Sequence, residues 1–380
     1  MTFIQKFKKN NLTQTRINLF LFKTTLKNKL QNCVAIVDPG GIGDYILHRQ
    51  YFKYFKQSPE YKNKNLIYFG REQYNNMVKH YDSDVFSEIF AYDCIDKKEL
   101  RKQLSYYKFD SLIHLQTMCG AIAYSQAKSE RMDFIKGFKV KTKIANAIMN
   151  DYYDNKAEKY LKSIYSQIIF TNEETFEPER LRTLYEKLLG IKIEQENTKL
   201  SPIFDFSQKY ICISLASVGE YRNYSIEGWV KILKYLTTNL QESYKIVILG
   251  TKREEDIINT ILLHFDKSEK IINLTGLIDI TLIPSIIKNA QWLLSIETGT
   301  VHIAQAVNCK TICLSSGGFY GRFLPYTNGL TEYIFPDSFD EIIKDENQEL
   351  LSKYYDYERT HKTSDINPDK VIKVLKKYIN

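Results

Sequence analysis

Two stretches of this sequence combine small residues with groups able to handle a charged or hydroxylic ligand. In Pro39-Gly-Gly-Ile-Gly-Asp44 a carboxylate stands on a glycine-built turn at the head of a predicted helix. That placement suits holding or deprotonating a hydroxyl, and it equally suits a plain N-cap. In the second stretch the short apolar run Trp292 to Ile296 is broken by Glu297-Thr-Gly-Thr300, and small and apolar residues restart from Val301 to Val307 at helical spacing. Strand, tight Gly299 turn and helix together aim free backbone N–H groups and the positive end of a helix dipole at one point. This is a ready site for a phosphate or pyrophosphate, and also an ordinary βα turn. His302 falls in the first turn of that helix, where it can donate to a phosphate or sit as a half-buried, satisfied side chain. Arg222, in Glu220-Tyr-Arg-Asn-Tyr-Ser225 just past a predicted strand, can offer a fork of donors to a pyrophosphate, or be a solvated charge.

Other chemistries fit poorly. A dinucleotide fingerprint needs a third glycine after Gly41-Ile-Gly43 and an acidic end to the second strand, whereas Asp44 and Gly70-Arg71 stand there. Asp82-Ser-Asp84 imitates a metal-binding pair of carboxylates, yet it follows a helix and reads as a turn. The six His are scattered without i, i+4 pairing, so a metal site is not indicated. There is neither a nucleophile elbow nor a P-loop. The six cysteines, Cys33, Cys94, Cys119, Cys212, Cys309 and Cys313, form no C-x-x-C pair, and several fall in apolar strands, as buried thiols of a reducing compartment do.

The elements that must carry these turns alternate. Strand Cys33–Asp38, a helix from Asp44 to about Gln57, strand Leu66–Phe69, helix Arg71–Tyr81, strand Glu88–Tyr92, helix Lys98–Tyr107 and strand Ser111–Leu115 make one run, followed by a Lys-rich region from Gln116 to about Tyr165 that resists assignment. A polar, acidic stretch from Thr171 to Pro202, interrupted by a helix, marks the boundary. A second run begins at Tyr210–Leu215 and passes through a helix capped by Ser225, strand Ile246–Leu249, a helix from Glu254, strand Ile271–Leu274, a helix capped by Thr281, the Gly299 turn and strand Thr311–Leu314. Asn367-Pro368 opens a last amphipathic helix. Two successive βαβα runs predict an α/β protein of two doubly wound parallel sheets. The expected division is 1–32, 33–190, 191–335 and 336–380, the last a set of C-terminal helices returning over the domains. Ligands of such sheets bind at strand carboxyl ends, so the Gly43 and Gly299 loops are expected to face each other across a cleft.

At 380 residues, 43% hydrophobic and 26% charged, the chain has the composition of a soluble globular protein. The net charge of +8 favours anionic partners such as nucleotides or membrane surfaces without demanding nucleic acid. The first 31 residues carry Lys6, Lys8, Lys9, Arg16, Lys23, Lys27 and Lys29 and no acidic side chain, beside the apolar run Ile17 to Phe22. That run is too short to span a bilayer, but a basic amphipathic segment of this kind suits an anionic membrane surface as well as a solvated tail.

In order along the chain, Gly41-Ile-Gly-Asp44, Phe109–Gln116, Arg222–Trp229, Gly250–Glu254, Asn273–Gly276, Glu297-Thr-Gly-Thr-Val-His-Ile-Ala304 and Gly321–Pro325 resemble the family 9 glycosyltransferases, the lipopolysaccharide heptosyltransferases. The resemblance covers about residues 33–330. Its most specific part is Thr-Gly-x-x-His-x-Ala joined to the N-terminal Gly-Asp.

The resemblance implies a GT-B fold of two Rossmann-like domains facing a central cleft, the first binding acceptor and the second the nucleotide sugar. It implies an inverting, metal-independent transfer without a cofactor, from ADP-L-glycero-D-manno-heptose to a lipid-linked oligosaccharide. The setting would be cytoplasmic, peripheral on the inner face of the bacterial inner membrane. Carried over, Asp44 is the general base and Gly41 and Gly43 form the acceptor-side loop. Arg222, Thr298, Gly299, Thr300 and His302 hold the diphosphate, Glu254 reaches the ribose and Glu297 the sugar. Three residues depart from the family pattern: Glu297 stands for Asp, Arg222 for Lys, and Tyr224-Ser225 for Trp-Pro. Alternatives from the same residues are a transferase using another nucleotide sugar, a non-catalytic glycan- or nucleotide-binding paralogue, and a sugar-nucleotide epimerase.

Overall fold

The computed structural model describes residues 30–94, 104–118, 130–148, 155–172, 175–194, 208–217, 222–265, 268–356 and 361–379, together with residues 102 and 200. The basic segment 1–29, half of the expected helix Lys98–Tyr107, and Cys119 lie outside the described residues. The chain divides into two compact units, one of residues 1–173 and 178–196, the other of residues 174–177 and 197–380.

The first unit carries β1 (Leu30–Val37), α1 (Ile42–Phe52), β2 (Asn65–Gly70), α2 (Glu72–Tyr81), β3 (Glu88–Ala91), β4 (Tyr107–Met118), α3 (Glu130–Gly137), β5 (Thr142–Ile148), α4 (Asn155–Ile164), β6 (Gln167–Thr171) and α5 (Glu177–Leu189). Its sheet has the order β3-β2-β1-β4-β5-β6, with every pairing parallel. A parallel strand in such a sheet is covered on both faces, which explains the continuous apolar runs Val34–Val37 and Leu66–Phe69, all buried.

The second unit carries β7 (Tyr210–Ser214), α6 (Ile226–Asn239), β8 (Lys245–Leu249), α7 (Glu255–Leu262), β9 (Ile271–Asn273), α8 (Ile283–Asn289), β10 (Leu293–Ile296), α9 (Gly299–Ala306), β11 (Thr311–Leu314), β12 (Thr331–Ile334), α10 (Asp337–Lys344), α11 (Gln348–Asp356) and α12 (Pro368–Ile379). Its sheet, β12-β11-β10-β7-β8-β9, is again parallel throughout. Each sheet therefore runs 3-2-1-4-5-6 in its own strand count, the doubly wound order. The crevice where the winding reverses opens between β1 and β4 in one sheet and between β7 and β10 in the other.

The C-terminal helix α12 belongs to the second unit. Val371 and Leu375 are fully buried in the same apolar cluster as Trp229, Ile232 and Leu236 of α6. Burying two such side chains stabilises the unit by about 3–6 kcal/mol. Tyr224-Ser225 are explained here as well: Ser225 caps α6, its Oγ accepting the Gly228 N–H at 3.1 Å, and buried Tyr224 packs edge-on against Trp229 and donates to the Ile366 carbonyl at 2.8 Å.

Strands β5, β6 and β12 were not visible as strands in the sequence. β5 carries Asn146 in its buried stretch, where the amide donates to the Leu115 carbonyl at 2.7 Å and accepts from Arg180 at 3.3 Å. Asp82-Ser-Asp84 is a turn, as read. Asp82 is buried and held by Arg49 at 3.1 Å and by the Tyr45 hydroxyl at 2.5 Å.

Candidate functional site

In the first unit the glycine turn lies at the carboxyl end of β1, at the reversal point. Gly41 is the N-cap of α1, Gly43 lies inside its first turn, and Asp44 is its third residue. The Asp44 Oδ2 accepts the Gly41 N–H at 2.7 Å, so the carboxylate closes its own turn while standing half-buried at the helix head. Gly40 makes this possible: a Cβ there would lie 2.6 Å from the Asp44 Cβ. The sequence placed the helix start at Asp44; it starts at Ile42 because Gly41 is extended and already serves as the cap.

In the second unit four groups assemble around the β7–β10 reversal. Thr298 is the N-cap of α9, and its Oγ1 accepts the Thr300 N–H at 3.3 Å. Ser295 gives its one hydroxyl hydrogen to the Ile296 carbonyl at 2.6 Å and lies 2.9 Å from the Thr300 Oγ1, which in turn lies 2.6 Å from the Thr298 Oγ1. Proton counting then orders the chain: Thr298 donates to Thr300, Thr300 to Ser295, and Ser295 to the backbone. In this arrangement the turn offers an anion the N–H groups at the head of α9, starting at Gly299, rather than the Thr298 hydroxyl.

Glu297 ends β10 with its Oε2 accepting from Ser315 Oγ at 2.8 Å. Burial raises its pKa, while the positive charge of Arg222 and the Ser315 hydrogen bond oppose that rise. Arg222, half-buried in the loop after β7, sets its guanidinium 5.9 Å from the centre of the Phe319 ring. His302 stands on α9 with Nδ1 2.6 Å from the Tyr326 hydroxyl. Burial, reinforced by Arg222 and opposed by Glu177, lowers its pKa to about 4. A neutral ring accepting at Nδ1 from Tyr326 carries its proton on Nε2, ready to donate.

Glu254 stands apart, beyond β8. Its Oε2 accepts from the Thr251 N–H at 2.7 Å and from the Thr251 hydroxyl at 3.0 Å, closing its own loop. Thus Arg222, Glu297, Thr298, Gly299, Thr300 and His302 gather at one crevice, Glu254 lies one strand further along the same sheet edge, and Asp44, Gly41 and Gly43 belong to the other unit.

Sequence reasoning gave no role to Ser315, Phe319, Tyr326, Arg322 and Glu177. Arg322 and Glu177 form a buried ion pair at 3.1 Å, doubled by a backbone bond from the Glu177 N–H to the Arg322 carbonyl at 2.7 Å. All but Glu177 come from the loop after β11, whose Ser315-Ser-Gly-Gly318 was the available signal. Among the described residues no group of three or more His, Cys, Asp or Glu could hold a metal ion, and no helix is long and apolar enough to cross a membrane.

Two doubly wound parallel sheets, with the Asp44 turn at the crevice of one and the Gly299 turn at that of the other, have the GT-B architecture. The family model for glycosyltransferase family 9 (heptosyltransferase) matches residues 98–335, and the chain belongs to that family.

Solved structures show the same fold. A family 9 glycosyl transferase from Veillonella parvula aligns with TM-score 0.62 at 12% identity, covering 92% of this chain and 98% of that one. The E. coli ADP-heptose lipopolysaccharide heptosyltransferase II gives 0.62 and 12%, covering 91% and 98%. The E. coli heptosyltransferase WaaC with ADP-2-deoxy-2-fluoro heptose gives 0.59 and 14%, covering 91% and 99%. A search of curated proteins returns no match.

Proposed function

We propose that this enzyme is an inverting, metal-independent heptosyltransferase. It moves a heptose from ADP-L-glycero-D-manno-heptose to the core of a lipopolysaccharide or lipooligosaccharide, or to a related surface glycan. The observation that carries the reading is the pairing of chemistries at the two sheet reversals: a helix-head carboxylate, Asp44, in one unit, and Arg222 with the Gly299 helix head in the other. In the transfer the acceptor hydroxyl loses its proton to Asp44 as its oxygen bonds to the anomeric carbon. The bond from that carbon to the diphosphate oxygen breaks, and ADP leaves with the electron pair. The N–H groups of α9, Arg222 and the Nε2–H of His302 take up the growing charge, with no metal required. Glu297 contacts the sugar and Glu254 the ribose.

The enzyme works at the cytoplasmic face of the inner membrane as a peripheral protein, its basic residues 1–31 drawn to anionic lipid. The family relationship supports the donor, since two of the solved relatives are heptosyltransferases described with ADP or ADP-heptose in their names. A family 9-like transferase with a different nucleotide sugar is the second reading. Glu297, one methylene longer than the family's Asp and bonded to Ser315, favours it. Calorimetry against ADP-, UDP-, GDP- and CMP-sugars, followed by product release with and without acceptor, tests both. Preferential binding of ADP-heptose with acceptor-dependent ADP release is expected, and tighter binding of another nucleotide sugar would transfer the assignment to it.

A further inference from the structure

The turn that presents Asp44 is anchored by a second carboxyl group six residues before it. Asp38, just past β1, is fully buried. Its Oδ1 accepts the Gly40 N–H at 3.2 Å and its Oδ2 accepts the Tyr68 hydroxyl at 2.8 Å. Its backbone carbonyl accepts the Tyr74 hydroxyl at 2.9 Å, and its N–H donates to the Phe69 carbonyl at 2.9 Å. Space for the two phenol rings depends on Gly70, where a Cβ would lie 2.5 Å from the Tyr68 ring and 3.1 Å from that of Tyr74. Tyr74 also stacks on Tyr45, the residue after Asp44, at 5.2 Å between ring centres and 10° between planes.

Two independent routes therefore connect Asp38 to Asp44, one through the Gly40 N–H and one through Tyr74 and Tyr45. A carboxyl group is a costly way to finish a buried strand, because its desolvation must be offset by good hydrogen bonds. An apolar residue would finish the strand more cheaply, but would let go of Gly40.

We propose that Asp38 is a positioning residue for Asp44, holding the Pro39–Asp44 turn so that the base meets the acceptor hydroxyl at a fixed place. The proposal rests on the reading of Asp44 as the base. The groups that face Asp38 are Tyr68 of β2, Tyr74 of α2, Asp44 of α1 and Tyr185 of α5. Burial raises the Asp38 pKa to about 7; the Tyr68 bond opposes the rise, Asp44 adds to it, and the Gly40 bond opposes it.

The test compares Asp38→Leu, which cannot accept the Gly40 N–H, and Tyr68→Phe with the parent by two readouts. One is amide hydrogen exchange over residues 38–45; the other is the pH profile of kcat with the donor KM. Exchange in the turn should quicken about tenfold, as expected for one lost buried hydrogen bond. Misplacement of the base should lower kcat by about 10- to 100-fold with the donor KM nearly unchanged. Unchanged exchange, or unchanged kcat in a folded variant, overturns the proposal. If Asp38→Leu does not fold, Tyr68→Phe, which keeps the packing and removes one donor, decides by the same criteria. If the parent shows no transfer, the transferase reading has failed, and the exchange readout alone still decides whether Asp38 anchors the turn.

Discussion

The Tyr326 hydroxyl lies 2.6 Å from Nδ1 of His302, two residues 24 apart in sequence; where the phenol donates to that nitrogen, the proton of a neutral ring stands on Nε2. Burial lowers the pKa of the ring to about 4, so it is neutral at neutral pH.

That state has a pH consequence for stability. The folded-state pKa lies below the ordinary value of about 6.5, so the unfolded chain takes up the proton first as pH falls. The His302 contribution is complete above about pH 6.5 and is lost progressively down to about pH 4. Thermal unfolding of the parent and of His302→Gln across that window should converge as pH falls; a constant gap would show that His302 titrates normally.

Asp44→Asn should lower kcat by about 10²–10⁴ while donor affinity stays within a few-fold. The amide oxygen can still accept the Gly41 N–H, so the melting temperature should barely move. Near-parental kcat in the folded variant would reduce Asp44 to closing its turn.

Arg222→Ala should weaken ADP binding by about 1.5–3 kcal/mol, the worth of a charge-assisted bond, and Arg222→Lys by less. Removing the guanidinium should also push the Glu297 carboxyl further up, since Arg222 opposes its rise. Calorimetry with ADP checks the first effect, and unchanged affinity in Arg222→Ala would move the diphosphate elsewhere.

Thr298→Ala should behave differently from Arg222→Ala. It removes the N-cap of α9 and the first member of a hydroxyl chain, so about 0.5–2 kcal/mol of stability should go with it. Because the Thr298 hydrogen points to Thr300, the loss of ADP affinity should be smaller than for Arg222→Ala. Chemical denaturation beside calorimetry separates the two, and a larger affinity loss at Thr298 would mean that the hydroxyl turns to the ligand.

Transfer should persist in EDTA, because Arg222 and the α9 head balance the diphosphate charge. The rescue arm of the chelation assay takes iron as well as magnesium. Activity lost in EDTA and restored by either metal would end the metal-independent reading.

What the sequence showed depended on how local the cause was. Val34–Val37 and Leu293–Ile296 are apolar runs ended by glycine turns, so strand, turn and helix could be read together. β12 could not: Glu332 in its middle is tolerated because Lys377 and Tyr378 of α12 reach its carboxylate at 2.7 and 3.2 Å. Asn146 in β5 likewise makes sense only beside Arg180. At the site, Asp44 and the Gly299 turn announced themselves by type and spacing. Tyr326, Ser315 and Glu177 act through partners 18 to 145 residues away, and no local pattern encodes such pairs.

The short segment 174–177 belongs with the second unit although the chain on both sides of it belongs with the first. For protein engineering this means that donor choice cannot be traded between relatives by one splice near residue 197. Such a chimaera would inherit Arg322 from one parent and residue 177 from the other. Unless the host supplied a carboxylate there, a buried guanidinium would lose its counter-charge, a defect of about 3–5 kcal/mol. A graft that carries residues 174–177 along with the C-terminal half avoids that defect, and recombination in nature would face the same constraint.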